Sequence, residues 1–143
     1  MQVRFLPGAP VMRLLGIDYG SKNIGLALSD ERGEWAFPHS VVANDRKTSD
    51  KILEIAKENG IKEIVIGESR DFKGKANEIM ARALDFAKSC AAAGLIIHFE
   101  PEYLTSHQAQ HIQGTNKMID ASSATIILQS FLDKRKNQAT ISE

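Results

Sequence analysis

Acidic side chains stand at the ends of apolar runs in this chain. Asp18 closes Leu14-Leu15-Gly16-Ile17, Glu68 follows Ile64-Val65-Ile66-Gly67, Glu100 and Glu102 follow Leu95 to Phe99, and Asp120 opens a long final helical segment. A carboxylate on a strand otherwise made of Leu, Gly and Ile is costly to bury unless its charge is compensated. Mg²⁺ or Mn²⁺ would compensate it, because such hard ions take oxygen ligands and leave sites for water and substrate phosphates. Two such ions about 3.5–4 Å apart clamp the attacking and leaving oxygens of a phosphodiester displacement. Each acid also has a plainer role. Asp18 suits a turn that bonds the following backbone amides, and Asp120 suits a helix cap. The residues around Asp18 leave its two roles evenly open. Only convergence of several acids on one edge of one sheet favours a metal cage.

No other constellation competes. Cys90 lies on an apolar helical face and reads as core. His107 and His111 are four apart and could share a helix face, yet further zinc ligands are not evident. No Gly-rich loop ending in Gly-Lys-Ser/Thr occurs, so P-loop nucleotide hydrolysis is unsupported. For a phosphate-bearing substrate, Gly20 lets the backbone approach closely and Lys22 supplies charge. Arg70, Lys73 and Lys75 form a basic cluster in a loop after an apolar run, where a solvated loop is the simpler reading. Lys117 precedes Asp120 and could touch the same nucleic-acid strand. The run Lys134-Arg135-Lys136 falls at the far end of the last helical segment, where it complements the helix dipole and receives no binding role.

The elements that must position these residues follow from periodicity. Strands are expected over about Arg13–Asp18, Ile24–Ser29 and Glu34–Phe37, the last ended by Pro38. A helix with a cap at Thr48, Ser49 or Asp50 buries Ile52, Ile55 and Ala56 and stops before Gly60. Ile61–Gly67 reads as a fourth strand, Asn77–Ala93 as a helix stopping at Gly94, and Leu95–Phe99 as a fifth strand. Thr105 caps a short polar helix, and a final helix runs from about Asp120 to Lys136. Short turns require the first three strands to form an antiparallel meander, whereas the strand–helix–strand crossovers require parallel pairing. The expected fold is α/β: a mixed five-stranded sheet with helices on its faces, and sites at the carboxyl ends of its strands.

The chain has 143 residues, enough for one domain with a real core. Residues 1–12 read as a flexible leader, 13–136 as the domain and 137–143 as a flexible tail. No apolar run approaches a membrane span, and the start lacks the apolar region of a signal peptide. A single cysteine suits a reducing cytosol, so a cytoplasmic location is expected. A formal net charge of zero gives no global field to steer nucleic acid, although a local patch can still bind phosphates.

Two longer motifs resemble the YqgF/RuvX family of the RNase H-like superfamily, whose members are described as Holliday junction resolvases and pre-16S rRNA nucleases. They are Gly16-Ile17-Asp18-Tyr19-Gly20-Ser21-Lys22-Asn23-Ile24-Gly25-Leu26-Ala27-Leu28-Ser29-Asp30 and Asp120-Ala121-Ser122-Ser123-Ala124-Thr125-Ile126-Ile127-Leu128-Gln129-Ser130-Phe131-Leu132. Ile64-Val65-Ile66-Gly67 and Glu102-Tyr103-Leu104-Thr105-Ser106 are similar to segments between them. The resemblance spans about Arg13 to Lys136. It implies an RNase H-like fold and a metal-dependent endonuclease with Asp18, Glu102 and Asp120 as its acids. RNA is the implied substrate, with a branched DNA junction as the alternative.

The chain departs from the family pattern at Pro101 and Tyr103, which stand where the family has an acid and an arginine, and at Glu68-Ser69, where it has Leu-Pro. Glu68 could supply the missing carboxylate; Glu100 competes for that role. The first motif also looks like the phosphate motif of actin-like sugar kinases and chaperone ATPases, but those close two such domains around a nucleotide. The Pro101 and Tyr103 departures keep open a third reading, a non-catalytic RNA-binding module for ribosome assembly.

Overall fold

The run Leu14-Leu15-Gly16-Ile17 is buried on both faces, as a central strand must be. The computed structural model describes residues 13–68, 75–101 and 116–142, the side chains of 75–77, 116–122 and 139–142 excepted. Among these residues the order is β1 (Leu14–Tyr19), β2 (Asn23–Ser29), β3 (Ala36–Ala43), α1 (Thr48–Glu58), β4 (Glu63–Glu68), α2 (Lys75–Ala92), β5 (Ile96–Pro101) and α3 (Asn116–Ser142). The five strands form one sheet in the order β3-β2-β1-β4-β5. β1 pairs antiparallel with β2 and parallel with β4; β2–β3 is antiparallel and β4–β5 parallel. The mixed sheet expected from the sequence is therefore the one that forms. The leader and the short helix expected near Thr105 lie outside the described residues.

Alternation divides the core. Leu15, Ile17, Ile64 and Ile66 pack with Ile52 and Ala56 of α1 and Ala83, Phe86, Ala87 and Cys90 of α2. Leu14, Ala27 and Val65 pack on the opposite face with Ala124, Ile127, Leu128 and Leu132 of α3. Burying each large aliphatic side chain contributes about 1.5–3 kcal/mol, so the two clusters together hold all three helices to the sheet.

Most strand and helix ends shift by one or two residues, and three elements depart in ways that matter. β3 runs through Pro38 to Ala43 instead of stopping there. It is an edge strand, and its pairing register shifts between Leu26 and Ala27, the partners of Ser40 and Pro38, so the proline falls beside an irregularity at the edge of the sheet, where it is tolerated. α1 begins at Thr48 without a side-chain cap. The Thr48 hydroxyl donates to Ala43 O at 2.9 Å and accepts from Asp45 N at 2.6 Å, tying the preceding turn together. α3 begins at Asn116 and ends at Ser142, longer at both ends than the expected 120–136, and includes most of the expected tail.

α3 comes very close to the sheet at Gly16. A Cβ there would lie 2.7 Å from Leu128 Cβ and 3.0 Å from the Ala124 carbonyl oxygen. Two backbones have packed into the space of a missing side chain. Gly16→Ala should therefore lower unfolding stability by about 1–3 kcal/mol, the usual cost of overpacking a close-packed contact. Urea denaturation measures it; an unchanged midpoint would mean that α3 can give way.

Candidate active site

Asp18 stands two residues beyond Gly16, so alternation directs it to the α3 face of the sheet, at the carboxyl end of the central strand. Its neighbour Tyr19 takes the other face, with its ring 5.7 Å from Phe86. Asp18 is half-buried.

α3 runs antiparallel to β1. Its Gln129 reaches the start of β3, accepting from Ala36 N at 2.8 Å and donating to Glu34 O at 3.0 Å. Ala124 and Leu128 sit against Gly16. Earlier residues of α3 therefore advance toward the carboxyl end of β1. Asp120 is one turn before Ala124, about 6 Å along the helix axis. Asp18 is two residues past Gly16, about 7 Å along the strand. The two acidic positions move in the same direction by nearly the same distance. Asp120 is also the fifth residue of α3, inside the helix, which removes its capping role. Lys117 falls in the first turn of the same helix.

The other candidates separate. Glu68 follows Ile64 and Ile66 in the alternation, which assigns it to the α1/α2 face, opposite Asp18. Gly67 occupies the position on the Asp18 side of β4. Glu100, the partner of Gly67 in β5, shares that side but is already engaged. It is 3 % exposed, and its carboxylate accepts from Ser130 Oγ and Lys134 Nζ, both at 2.7 Å. Glu102, Arg70 and Lys73 lie outside the described residues.

A tight turn joins β1 to β2. A Cβ at Gly20 would collide with the Asn23 carbonyl oxygen, so only glycine closes this turn. Asn44 holds it from outside. Its side-chain amide donates to Gly20 O at 2.8 Å, and its backbone N–H to Lys22 O at 2.9 Å. Lys22 is exposed beside it. Sequence reasoning did not single out Asn44; its one signal was an Asn-Asp pair between a strand and a helix.

The basic run of α3 is not at a helix end. Six residues of α3 follow it, Asn137 to Ser142, so the dipole role expected for it does not hold. Each member has a partner instead. Lys134 pairs with Glu100, Arg135 binds Glu63 through both amino groups at 2.7 and 3.3 Å, and Lys136 lies 4.8 Å over the Trp35 ring. Glu63 also meets His98 Nε2 at 2.7 Å, and His98 packs against Phe131 at 4.6 Å. Hydrogen bonding from Arg135, outweighing the opposing effect of burial, holds the Glu63 carboxyl below the ordinary glutamate range, with His98 adding to it.

Two features bear on a hard divalent ion. Asp18 is a half-buried carboxylate, and Ser123, one turn after Asp120, carries a buried hydroxyl with no hydrogen-bond partner among the described residues. An orphaned buried hydroxyl calls for a polar partner such as an ion-bound water. The described residues by themselves contain no cluster of three or more metal-ligating side chains. A separate open cleft of about 540 Å³ lies at the other end of the sheet, lined by Arg13, Asp30, Arg32, Phe37 and neighbours. It is about 16 Å from Asp18 along β1 and takes no part in this site.

Solved structures share this architecture. The chain superposes on Thermus thermophilus RuvC in complex with a Holliday junction substrate with a TM-score of 0.61, at 19% identity, covering 87% of this chain and 96% of that one. The Fowlpox virus resolvase with its Holliday junction DNA gives 0.56 at 10% identity, covering 87% and 99%. The protein thus has an RNase H-like fold with an acidic residue at the carboxyl end of its central strand. The RuvX family model, described as Holliday junction resolvase, matches residues 12–134, and the chain belongs to this family of nucleases. Proteins of Opitutus terrae and Sulfurihydrogenibium, each named "Putative pre-16S rRNA nuclease", are 35% and 34% identical over 139 residues. Those alignments cover 87% and 90% of this chain and 93% and 96% of theirs.

The depressed Glu63 carboxyl has a consequence for acid stability. Its contribution is complete above the ordinary carboxylate range and is lost as pH falls through the lower folded-state value. Glu63→Gln should therefore cost stability at neutral pH, with the gap to wild type closing from about pH 5 downward. Denaturation at several pH values checks this; a gap that widens in acid would contradict it.

Proposed function

We propose that this protein is a metal-dependent endonuclease that hydrolyses phosphodiester bonds, with the 5′ end of pre-16S rRNA as its substrate. The observation carrying the catalytic part is the shared advance of Asp18 and Asp120 from the Gly16–Ala124 contact toward one edge of the sheet. The names of the curated relatives support the RNA substrate.

In this reading Asp18, Asp120 and Glu102 hold Mg²⁺ or Mn²⁺, as one ion or a pair. Bound there, the metal would lower the pKa of a water it holds, making a better nucleophile, and would neutralise charge on the phosphate. The protein's own residues do the rest. The Gly20–Lys22 turn, braced by Asn44, offers a close backbone approach and one exposed cation to a phosphate. Lys117, with Arg70 and Lys73, would add charge along the strand. Glu68, on the far face of β4, is a weaker candidate ligand than the sequence alone suggested. Glu100 already has cationic and hydroxyl partners and has no need of an ion.

Cleavage of a precursor 16S rRNA fragment and of a four-way DNA junction, each with Mg²⁺ or Mn²⁺, tests this reading. Cleavage of the RNA is expected, with Asp18→Asn at least about a hundredfold slower, a loss of several kcal/mol of metal-derived stabilisation. Glu68→Gln should stay within about threefold of wild type, a change of under 1 kcal/mol. Preferential cleavage of the junction would move the assignment to branched DNA. No cleavage of either with any metal would leave a non-catalytic RNA-binding module. RNA affinity should be modest and fall steeply with salt, because phosphate contacts dominate it.

A further inference from the structure

We propose that the ion pairs Glu100–Lys134 and Glu63–Arg135 form a register clamp on α3, so that Lys134 and Arg135 are positioning residues for the acidic site. The proposal rests on Asp18 and Asp120 acting together, as described above.

The physical ground is the burial of Glu100. Glu100 is 3 % exposed, and the two partners of its carboxylate here, Ser130 Oγ and Lys134 Nζ, both reach Oε2 at 2.7 Å. An ionised carboxylate in such a place is tolerated only while those donors stay in reach. Ser130 and Lys134 are four residues apart, one above the other on the same face of α3. A slip of α3 by one residue would rotate that face by about 100° and move it by about 1.5 Å, leaving a buried charge without its partners. Arg135 adds a two-point contact to Glu63 and lies 4.8 Å over Phe131, which in turn packs on His98. On the other flank, Gln129 grips the start of β3 with both ends of its amide. The Gly16 contact fixes how closely α3 lies on the strand. The charged contacts are directional and add a penalty for any slip or rotation of the helix about that point.

These contacts all fall within residues 129–135, one side of the Gly16 crossing. Asp120 lies on the other side, about 15 Å along the helix from Ser130. A helix transmits axial shift and rotation along its length, so the clamp in its middle sets the position of Asp120 in its first turns. Misplacing a reacting or ligating group by about 1 Å can cost roughly a hundredfold in rate.

Hydrogen exchange by mass spectrometry on the full chain, together with Mn²⁺ titration followed by its electron paramagnetic resonance signal, tests the clamp. For Lys134→Ala, exchange in peptides spanning 116–124 should rise about tenfold, with that in β1 and β4 within twofold. Mn²⁺ affinity should weaken about tenfold, with kcat falling in step and KM for RNA unchanged, and Lys134→Arg should restore all of these. The double variant Glu100→Gln, Lys134→Met removes the buried charge together with its partner. It keeps the test decisive if Lys134→Ala does not fold, and it too should loosen 116–124. Unchanged exchange and Mn²⁺ affinity in a folded variant would overturn the proposal. If the wild type neither binds Mn²⁺ nor cleaves RNA, the nuclease reading fails instead, and the exchange data still decide whether the clamp exists.

Discussion

Everything in this structure leans on the contact between β1 and α3 at Gly16. The absence of a side chain there brings the Leu128 Cβ and the Ala124 carbonyl against the strand. That approach places the first half of α3 over the carboxyl end of the central strand, where Asp18 stands. It also leaves no room for adjustment, because close-packed interiors do not deform continuously. The acidic site therefore inherits its geometry from a steric fit one turn away.

The two faces of the sheet are specialised as a result. The face under α1 and α2 is a continuous apolar cluster that ends in the Tyr19–Phe86 ring contact. The face under α3 is apolar only along its middle and carries polar contacts on both flanks: Gln129 toward β3, and Lys134 and Arg135 toward β4 and β5. Buried charge is a poor source of net stability but a strong penalty on wrong arrangements. An element that must hold one position relative to a catalytic residue gains from such contacts more than from additional leucines.

Much of the fold was legible from pattern alone, because the strands are short apolar runs between turn residues and the helices carry separate apolar stripes. The details that the local pattern did not settle share one cause. Pro38 reads locally as a terminator, yet an edge position with an irregular register absorbs it. Lys134-Arg135-Lys136 reads as a solvated helix end, yet α3 continues and each cation finds a distant partner. Glu68 reads as an acid at a useful strand end, yet one residue of alternation turns it to the face opposite Asp18. In each case the neighbour that decided the outcome is far away in sequence.

The sequence by itself determined the elements, the mixed pairing of the strands and the candidacy of Asp18 and Asp120. These depend on local periodicity, turn chemistry and the motifs that carry the family resemblance. Tertiary structure decided which acids share a face. Glu100 pairs with Lys134 and accepts from Ser130, the alternation of β4 assigns Glu68 to the α1/α2 face, and Asp120 sits inside a helix that starts earlier than its capping chemistry suggested. The reason is geometric: a carboxylate's role is set by what lies within a few ångströms of it. For Asp18, the helix on its side of the sheet begins almost a hundred residues further along the chain.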